Sequence, residues 1–559
     1  MKFVKYLYYT LPFVVSLLSV QGVLNDNHYI KLFGFILIFL VMLILSLIYQ
    51  GISSNTHVKL YLIDGCILGF LMLYLYFSWG NCNILDLHYP ALYIFFYFFL
   101  RLSINKNDCW KSLTNISLVV ISIHLIICCL QYINLFPNYN SYFDVGSTFG
   151  NPDALAAYLA VLFPMCYKGK NLRIVRYFVS FLTISLFFIL QARTAIVATV
   201  IFIFLDIYLT KSFSKKWIWG GIPFFIMGFI FLVYWHIESF SGRILIWIVS
   251  ISMIINKPLG WGVYAFEKHY PEFLSKFIDD YPRIGNLLNI DIVHSPYNEF
   301  LNIGVTLGVL GVILYGIFVG YIIKTAYKLK SPLLYPIIIF QIISLSYFPF
   351  RIFPLSIIYI LLCALIVYKK QERGKFVVDK NKKKLICIIL ICYISIYTVC
   401  SLYSFIQWRH AVYYTGRIVD KTLFKKPFLF LKGNGRYLAS YAEFCYKTDD
   451  NVKAFELMKQ AENFYSDIPF LNNLAIIYEQ NGFILEARKR YDLATKIAPA
   501  NANIALAKIE FLDRIGERDE AYRIALLWKK KLASKKMKQR YKLSLIKINT
   551  LITNYEKEI

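Results

Sequence analysis

The stretch HSPYNEFLNIGVTLGVLGVILYGIFVGYIIK, residues 294–324, decides the fold class. It opens on a polar turn and runs into an apolar segment of the roughly 20 residues a helix needs to cross a bilayer core. Lys324, Lys328 and Lys330 follow. Working outward in both directions, the same kind of run recurs, centred near residues 13, 40, 68, 97, 123, 161, 182, 201, 227, 340, 360 and 396. With the run near residue 310, this predicts thirteen transmembrane helices. The composition agrees: the 559 residues are 58% hydrophobic and only 17% charged, whereas soluble domains are about a quarter charged. A β-barrel would show short alternating segments instead. The expected fold is an all-α polytopic membrane protein.

The net charge of +27 does not indicate nucleic acid. A nucleic-acid footprint gathers on one face of a domain, whereas here the cations sit in alternate short loops. Lys2 and Lys5, Lys59, Arg101 to Lys111, Lys168 to Arg176, Lys211 to Lys216, Lys324 to Lys330 and Lys369 to Lys384 mark one side. The loops near Asn25, Asn83 and Asn151 carry almost no Lys or Arg. The positive-inside rule places the N-terminus in the cytoplasm and the C-terminus outside. In a double-membrane bacterium the outside is the periplasm and the membrane is the inner one. The run after Met1-Lys-Phe-Val-Lys5 lacks a small-residue cleavage site, so it reads as a retained helix. Most of the eleven cysteines fall in apolar runs as small hydrophobes. They show neither zinc spacing nor a disulfide framework.

Three regions follow. Residues 1–407 form the membrane domain, interrupted by one long external loop, 237–296. Within it, Ile244, Ile248, Ile251 and Ile255 recur at helical spacing over Ser239–Asn256, which predicts a helix lying on the membrane surface. Lys257 to Gly262 breaks it, and Ser275 to Ile292 reads as irregular. Residues 408–434 are a linker. Over 435–559 charge rises and a repeat emerges. Leu471, Leu474, Ala475, Tyr478, Gly482, Ala487, Tyr491, Ala494 and Pro499 follow the 34-residue tetratricopeptide pattern. Weaker copies flank it at Leu438, Ala442, Ala454 and Ala461, and at Leu512, Gly516, Ala521 and Trp528. A last helix near Lys538 to Tyr555 would cap the solenoid.

The topology brings a short set of ionisable groups to outer helix ends: Arg193, Arg243, His294, Glu299 and Arg351. Each has an ordinary explanation. Arginines at helix ends snorkel to headgroups, acidic groups favour helix N-termini, and histidines and tyrosines such as Tyr264 and Tyr297 are common at membrane interfaces.

Four segments together resemble the bacterial O-antigen ligase and polymerase superfamily of membrane glycan transferases. They are Gly146-Ser-Thr-Phe-Gly-Asn-Pro152, Gln191-Ala-Arg-Thr194, Ser241-Gly-Arg-Ile-Leu-Ile-Trp247 with Pro258-Leu-Gly-Trp-Gly262, and His294-Ser-Pro-Tyr-Asn-Glu299 with Gly304, Gly308 and Gly311 behind it. Gln191 and Ala192 replace the usual small residues, and Ser295 stands where Asn is common. The tetratricopeptide tail resembles a frequent attachment in that superfamily.

The resemblance implies a polyprenyl-diphosphate-linked glycan donor and inverting transfer to an acceptor hydroxyl, with no cofactor and no metal. Arginine's planar fork suits phosphate oxygens, which makes Arg193 and Arg243 diphosphate ligands, with Arg351 as a further contact. Histidine's ordinary pKa suits a general base, which makes His294 the catalytic residue. Glu299 would orient His294, and Tyr264 and Tyr297 would stack on sugar rings. No Asp-x-Asp pair accompanies them. The acceptor is a glycolipid such as a lipopolysaccharide core, a protein hydroxyl, or the end of another glycan. These give a ligase, a protein O-oligosaccharyltransferase or a polymerase. The tail, a helical surface suited to peptides, offers a site for a protein acceptor or partner. The alternatives from other classes are a lipid-linked glycan transporter and a membrane-anchored scaffold. The first would show repeated halves and midplane charges, and neither is evident.

Overall fold

The computed structural model describes residues 2–19, 27–50, 56–58, 60–78, 84–103, 109–138, 140, 142–210, 237–282, 293–370, 376–413, 422–499, 501–532 and 541–558. In chain order the helices are α1 (Lys2–Val14), α2 (Asn27–Leu45), α3 (Leu62–Ser78), α4 (Ile84–Ser103), α5 (Cys109–Tyr132), α6 (Pro152–Tyr167), α7 (Arg173–Ile189) and α8 (Arg193–Thr210). Then come α9 (Ile237–Asn256), α10 (Ala265–Asp280), α11 (Glu299–Lys328), α12 (Leu334–Ser344), α13 (Phe353–Lys370) and α14 (Lys380–Tyr413). The tail holds α15 (Gly435–Lys447), α16 (Asn451–Ala461), α17 (Ile468–Gln480), α18 (Ile484–Ile497), α19 (Ala502–Arg514), α20 (Arg518–Lys531) and α21 (Lys542–Glu558). Two three-residue strands, Thr56–Val58 and Phe376–Val378, pair antiparallel.

Five described helices are long and apolar enough to cross a membrane: Tyr29–Ile48, Cys109–Tyr132, Arg193–Thr210, Glu299–Lys328 and Asn381–Val412. Shorter apolar helices occupy the expected positions near 13, 68, 97, 161, 340 and 360, the helix Arg173–Ile189 covers the one near 182, and the one near 227 lies outside the described residues. The arrangement is that of a polytopic membrane protein. On α14, Leu385, Ile389, Ile396 and Val399 are exposed, the pattern of a helix that presents apolar side chains to lipid rather than water.

The chain divides into two compact units. One comprises residues 1–237 and 297–431, the other residues 238–296 and 432–559. The first is built around α6, whose residues Leu155 to Cys166 are all buried. Ala156, Ala157 and Ala160 leave room for close helix approach there. Around it pack α5, α7, α8, α12 and α13. Gly308, at φ 71°, breaks α11 in mid-course, a conformation a side chain would oppose.

Cations that the sequence assigns only to topology are also structural. Arg176 is fully buried. It donates to the Thr114 carbonyl at 2.7 Å, the Cys166 carbonyl at 3.1 Å, the Asn171 carbonyl at 2.6 Å and Asn115 Oδ1 at 2.7 Å. Arg101 and Asp64 form a buried pair at 2.8 Å, joined by the Tyr97 hydroxyl. Lys168 meets Asp206 at 2.6 Å, which also accepts from Tyr335 at 2.7 Å.

The second unit joins the long loop to the tail. α10 corrects one expectation: residues 275–280, expected to be irregular, are helical. Phe266, Tyr270 and Leu274 recur every four residues and are buried, and half-buried Phe277 and Ile278 carry the apolar face on into 275–280, so the stripe overrides the polar composition. In the tail, α15–α16, α17–α18 and α19–α20 are three successive helix pairs, and α21 packs on the last. Each pair opens on a side-chain cap: Asn434 on the Tyr437 N–H, Asp467 on the Phe470 N–H and Asn501 on the Asn503 N–H. The repeat residues Leu438, Ala442, Leu474, Ala475, Ala487, Ala494, Leu512 and Ala521 are buried.

Gly169 is the seat of the Arg176 guanidinium: an added Cβ would lie 2.2 Å from Arg176 Cζ. Four hydrogen bonds prevent that group from moving aside cheaply. Gly169→Ala is expected to destabilise the first unit by about 1–3 kcal/mol, the usual cost of overpacking. Thermal unfolding of the detergent-purified protein would show a lowered Tm.

Candidate active site

The first unit assembles its site residues around one turn, residues 345–351, between α12 and α13. Thr194, next to Arg193 at the start of α8, shares a 3.0 Å hydrogen bond with Ser346. Asn298 caps α11 by accepting from the Phe300 and Leu301 N–H groups at 2.9 and 3.2 Å. Its amide also donates to the Leu345 carbonyl at 3.0 Å. The Tyr297 ring lies 5.3 Å from that of Phe348. Arg351 ends the short helical turn Pro349–Arg351 and is exposed. Glu299 is buried, accepts from Asn302 at 3.1 Å, and feels the Arg351 charge. Thr194, Tyr297, Glu299 and Arg351 therefore meet at one junction, with Arg193 adjacent to Thr194 in the chain.

The approach to α6 is built by a second set of side chains. Asn151 caps the helix through the Asp153 and Ala154 N–H groups at 2.9 and 3.1 Å, and Pro152 fills its first position. Gln131 Oε1 accepts from the Gly146 and Ser147 N–H groups at 3.1 and 2.7 Å. His124, fully buried, contacts the Ser16 hydroxyl at 3.1 Å and the Ser147 hydroxyl at 2.8 Å. Lys31 donates to the Ser16 and Leu18 carbonyls at 2.8 and 2.9 Å and lies 4.6 Å from the centre of the Phe149 ring.

The second unit holds Arg243, Tyr264 and His294. Arg243 is half-buried near the start of α9. Tyr264, at φ 64°, sets its ring edge-on to Phe464 at 5.8 Å. His294 is 40% exposed, yet its Nδ1 is buried and faces Glu267 Oε2 at 3.6 Å. Nε2 is then the ring nitrogen left to meet a substrate. The carboxylate beside His294 is thus Glu267. Glu299, expected in that role, is engaged by Asn302 and the Arg351 turn in the other unit. Nearby, the His269 side chain holds the Glu272 carboxyl below its ordinary range, with Arg490 acting in the same direction. Arg283 lies outside the described residues.

Sequence reasoning missed Glu267 and the role of Asn298; it placed Arg351 at a turn but not the contacts that the turn makes. Asn298 could have been found, because Asn followed by Glu before an apolar run is a helix-start signal. Glu267 carries no such signal.

Residues 178–316 match the family model described as O-antigen ligase. The match supports, at the level of the family, a ligase-like glycosyltransferase. A search of curated proteins finds no match.

Asn298 separates two contributions cleanly. Asn298→Ala removes both the cap and the link to Leu345, and should cost at least the ~1 kcal/mol of a lost cap. Asn298→Asp keeps the cap and removes only the amide donor. The expected order of Tm in detergent is wild type, then Asp, then Ala; equal values for all three would show that neither bond contributes.

Proposed function

We propose that this chain is a glycan transferase of the O-antigen ligase kind, with His294 as its general base. The observation that carries the proposal is the match over residues 178–316, which contains Arg193, Arg243 and His294. His294 Nε2 takes the proton of the acceptor hydroxyl as that oxygen bonds to the anomeric carbon. On the opposite face the anomeric C–O bond to the diphosphate breaks, and its electron pair leaves with the polyprenyl diphosphate. The configuration inverts. Arg193 and Arg243, with Arg351, neutralise the departing charge, a task for which the guanidinium fork is suited. These cations supply what a divalent ion would, so transfer is metal-independent and uses no cofactor. Tyr264 and Tyr297 line the sugar path.

The protein spans the cytoplasmic membrane thirteen times, with the N-terminus in the cytoplasm and the loop and tail in the periplasm. The isoleucine stripe of α9 supports its placement on the membrane surface: Ile244, Ile248, Ile251 and Ile255 are exposed while Leu245, Val249 and Met253 are buried. The tail is a tetratricopeptide-like solenoid. Its capping residues Asn434, Asp467 and Asn501 recur at 33 and 34 residues, and Gly482 and Gly516 take the same left-handed turn 34 residues apart. Such a surface favours a protein acceptor as the second reading, beside a glycolipid.

His294→Ala should reduce transfer at least about 100-fold, the usual share of general-base catalysis, with membrane abundance unchanged. Arg193→Ala and Arg243→Ala should do likewise, and Lys at either position should restore only part. Transfer should survive EDTA. Full activity of the His294 variant would end the general-base role. Comparing glycans in a strain lacking the protein identifies the acceptor: polymer missing from lipid marks a ligase, and sugar missing from proteins marks an oligosaccharyltransferase.

A further inference from the structure

The tail and the loop helix α10 meet along one helical face. Tyr264, Lys268, Glu272 and Asp279 are spaced so that they share that face. Each has a partner in the tail. Tyr264 packs on Phe464, and Lys268 Nζ donates to Asn463 Oδ1 at 3.1 Å. Glu272 feels Arg490, and Asp279 forms an ion pair with Lys496. α10 also packs along α18, the second helix of the middle pair. Glu267 stands at the edge of this contact. On one side its carboxylate faces His294 Nδ1 at 3.6 Å. On the other side it acts on Tyr465 of the tail, whose hydroxyl donates to Asp467 at 2.8 Å and whose ring lies under Arg436 at 5.8 Å.

We propose that Glu267 is a positioning residue for His294, and that the C-terminal helix pairs hold Glu267 in place by clasping α10. The inference rests on His294 being the general base. A histidine that accepts a proton at Nε2 works best when its Nδ1–H is fixed toward a carboxylate, which sets the tautomer and favours the imidazolium formed in the transition state. Glu267 is placed to supply that group: its carboxylate stands 3.6 Å from Nδ1, an ion-pair rather than a hydrogen-bond separation, and the tail supplies its position. The tail is thereby part of the transferase machinery rather than only a site for partners. This also accounts for the joining of residues 238–296 to residues 432–559 in one compact unit.

The test uses membranes carrying the full chain, lipid-linked oligosaccharide extracted from the host's own membranes as donor, and released polyprenyl diphosphate as the readout. His294→Ala is measured first, and full activity there defeats the base assignment itself. With that variant inactive, Glu267→Gln should lower kcat at least about tenfold, a fraction of the general-base contribution, with KM for the donor and the Tm unchanged. Glu267→Asp should recover part of the loss. A kcat for Glu267→Gln within about twofold of wild type, or an effect on KM alone, overturns the positioning role while leaving His294 as base. For the clasp, Asp279→Lys should lower kcat, and the swapped pair Asp279→Lys with Lys496→Asp should restore it. Failure of the swap to restore, or no effect of the single change, overturns the part played by the tail.

Discussion

Closing the backbone where helices end is the constraint on which the rest of this structure depends. In a hydrocarbon environment an unpaired N–H or C=O has no water to turn to, and its burial is costly. The chain meets that cost with side chains drawn from distant segments. Lys31 takes the carbonyls of Ser16 and Leu18, and Arg176 takes those of Thr114, Cys166 and Asn171. Asn151 and Asn298 take the first N–H groups of α6 and α11. The bonds of Asn151 and Asn298 satisfy helix starts, while those of Lys31 and Arg176 tie turns and helix segments to another part of the chain, the Thr114 carbonyl lying within α5. Two of the segments that carry the family resemblance, those at Asn151 and Asn298, are thus held by the caps that start their helices.

That constraint also ties the polar junction at residues 345–351 to its neighbours. Asn298 spans it to α11, and the hydrogen bond between Thr194 and Ser346 spans it to α8. Glu299, buried in the same junction, accepts from Asn302 and feels the Arg351 charge. In the loop a different solution operates. The segment 238–296 leaves the membrane-type unit, packs with the tail, and returns at Tyr297. His294 therefore takes its carboxylate neighbour from within that excursion, from Glu267 on α10.

Helix positions were legible because apolar length is a local property, and every described helix of the membrane type lies where an apolar run does. The helix pairs of the tail were legible because small residues at fixed offsets repeat, and Ala442, Ala475 and Ala487 are indeed buried at the contacts. The pairings that build the site were not. Ser16 meets His124 across 108 positions, and Lys31 reaches Thr148 across 117. A single polar residue inside an apolar run has no period, so nothing local announces its partner. Glu267 sat in a polar stretch where any of several carboxylates could have served. The helical state of residues 275–280 was hidden for a related reason: its evidence is a stripe of aromatic and aliphatic residues that a composition average dilutes.

Backbone strain occurs in the same segments, as well as at Asn134, Leu172, Lys330 and Asp449. Among the described non-glycine residues with positive φ are Ser147, Gln191, Tyr264 and Tyr297, at 47°, 53°, 64° and 49°. Each costs about 1–2 kcal/mol relative to an ordinary conformation, and each lies just before a helix: α6, α8, α10 and α11 respectively. A helix can begin without such a residue, so the strain serves direction rather than stability. A left-handed residue turns the chain sharply, so that the next few side chains leave the helix axis at a set angle. For Gln191 the residue aimed is Arg193. For Tyr297 it is Asn298, with its cap and its reach to Leu345, and then Glu299.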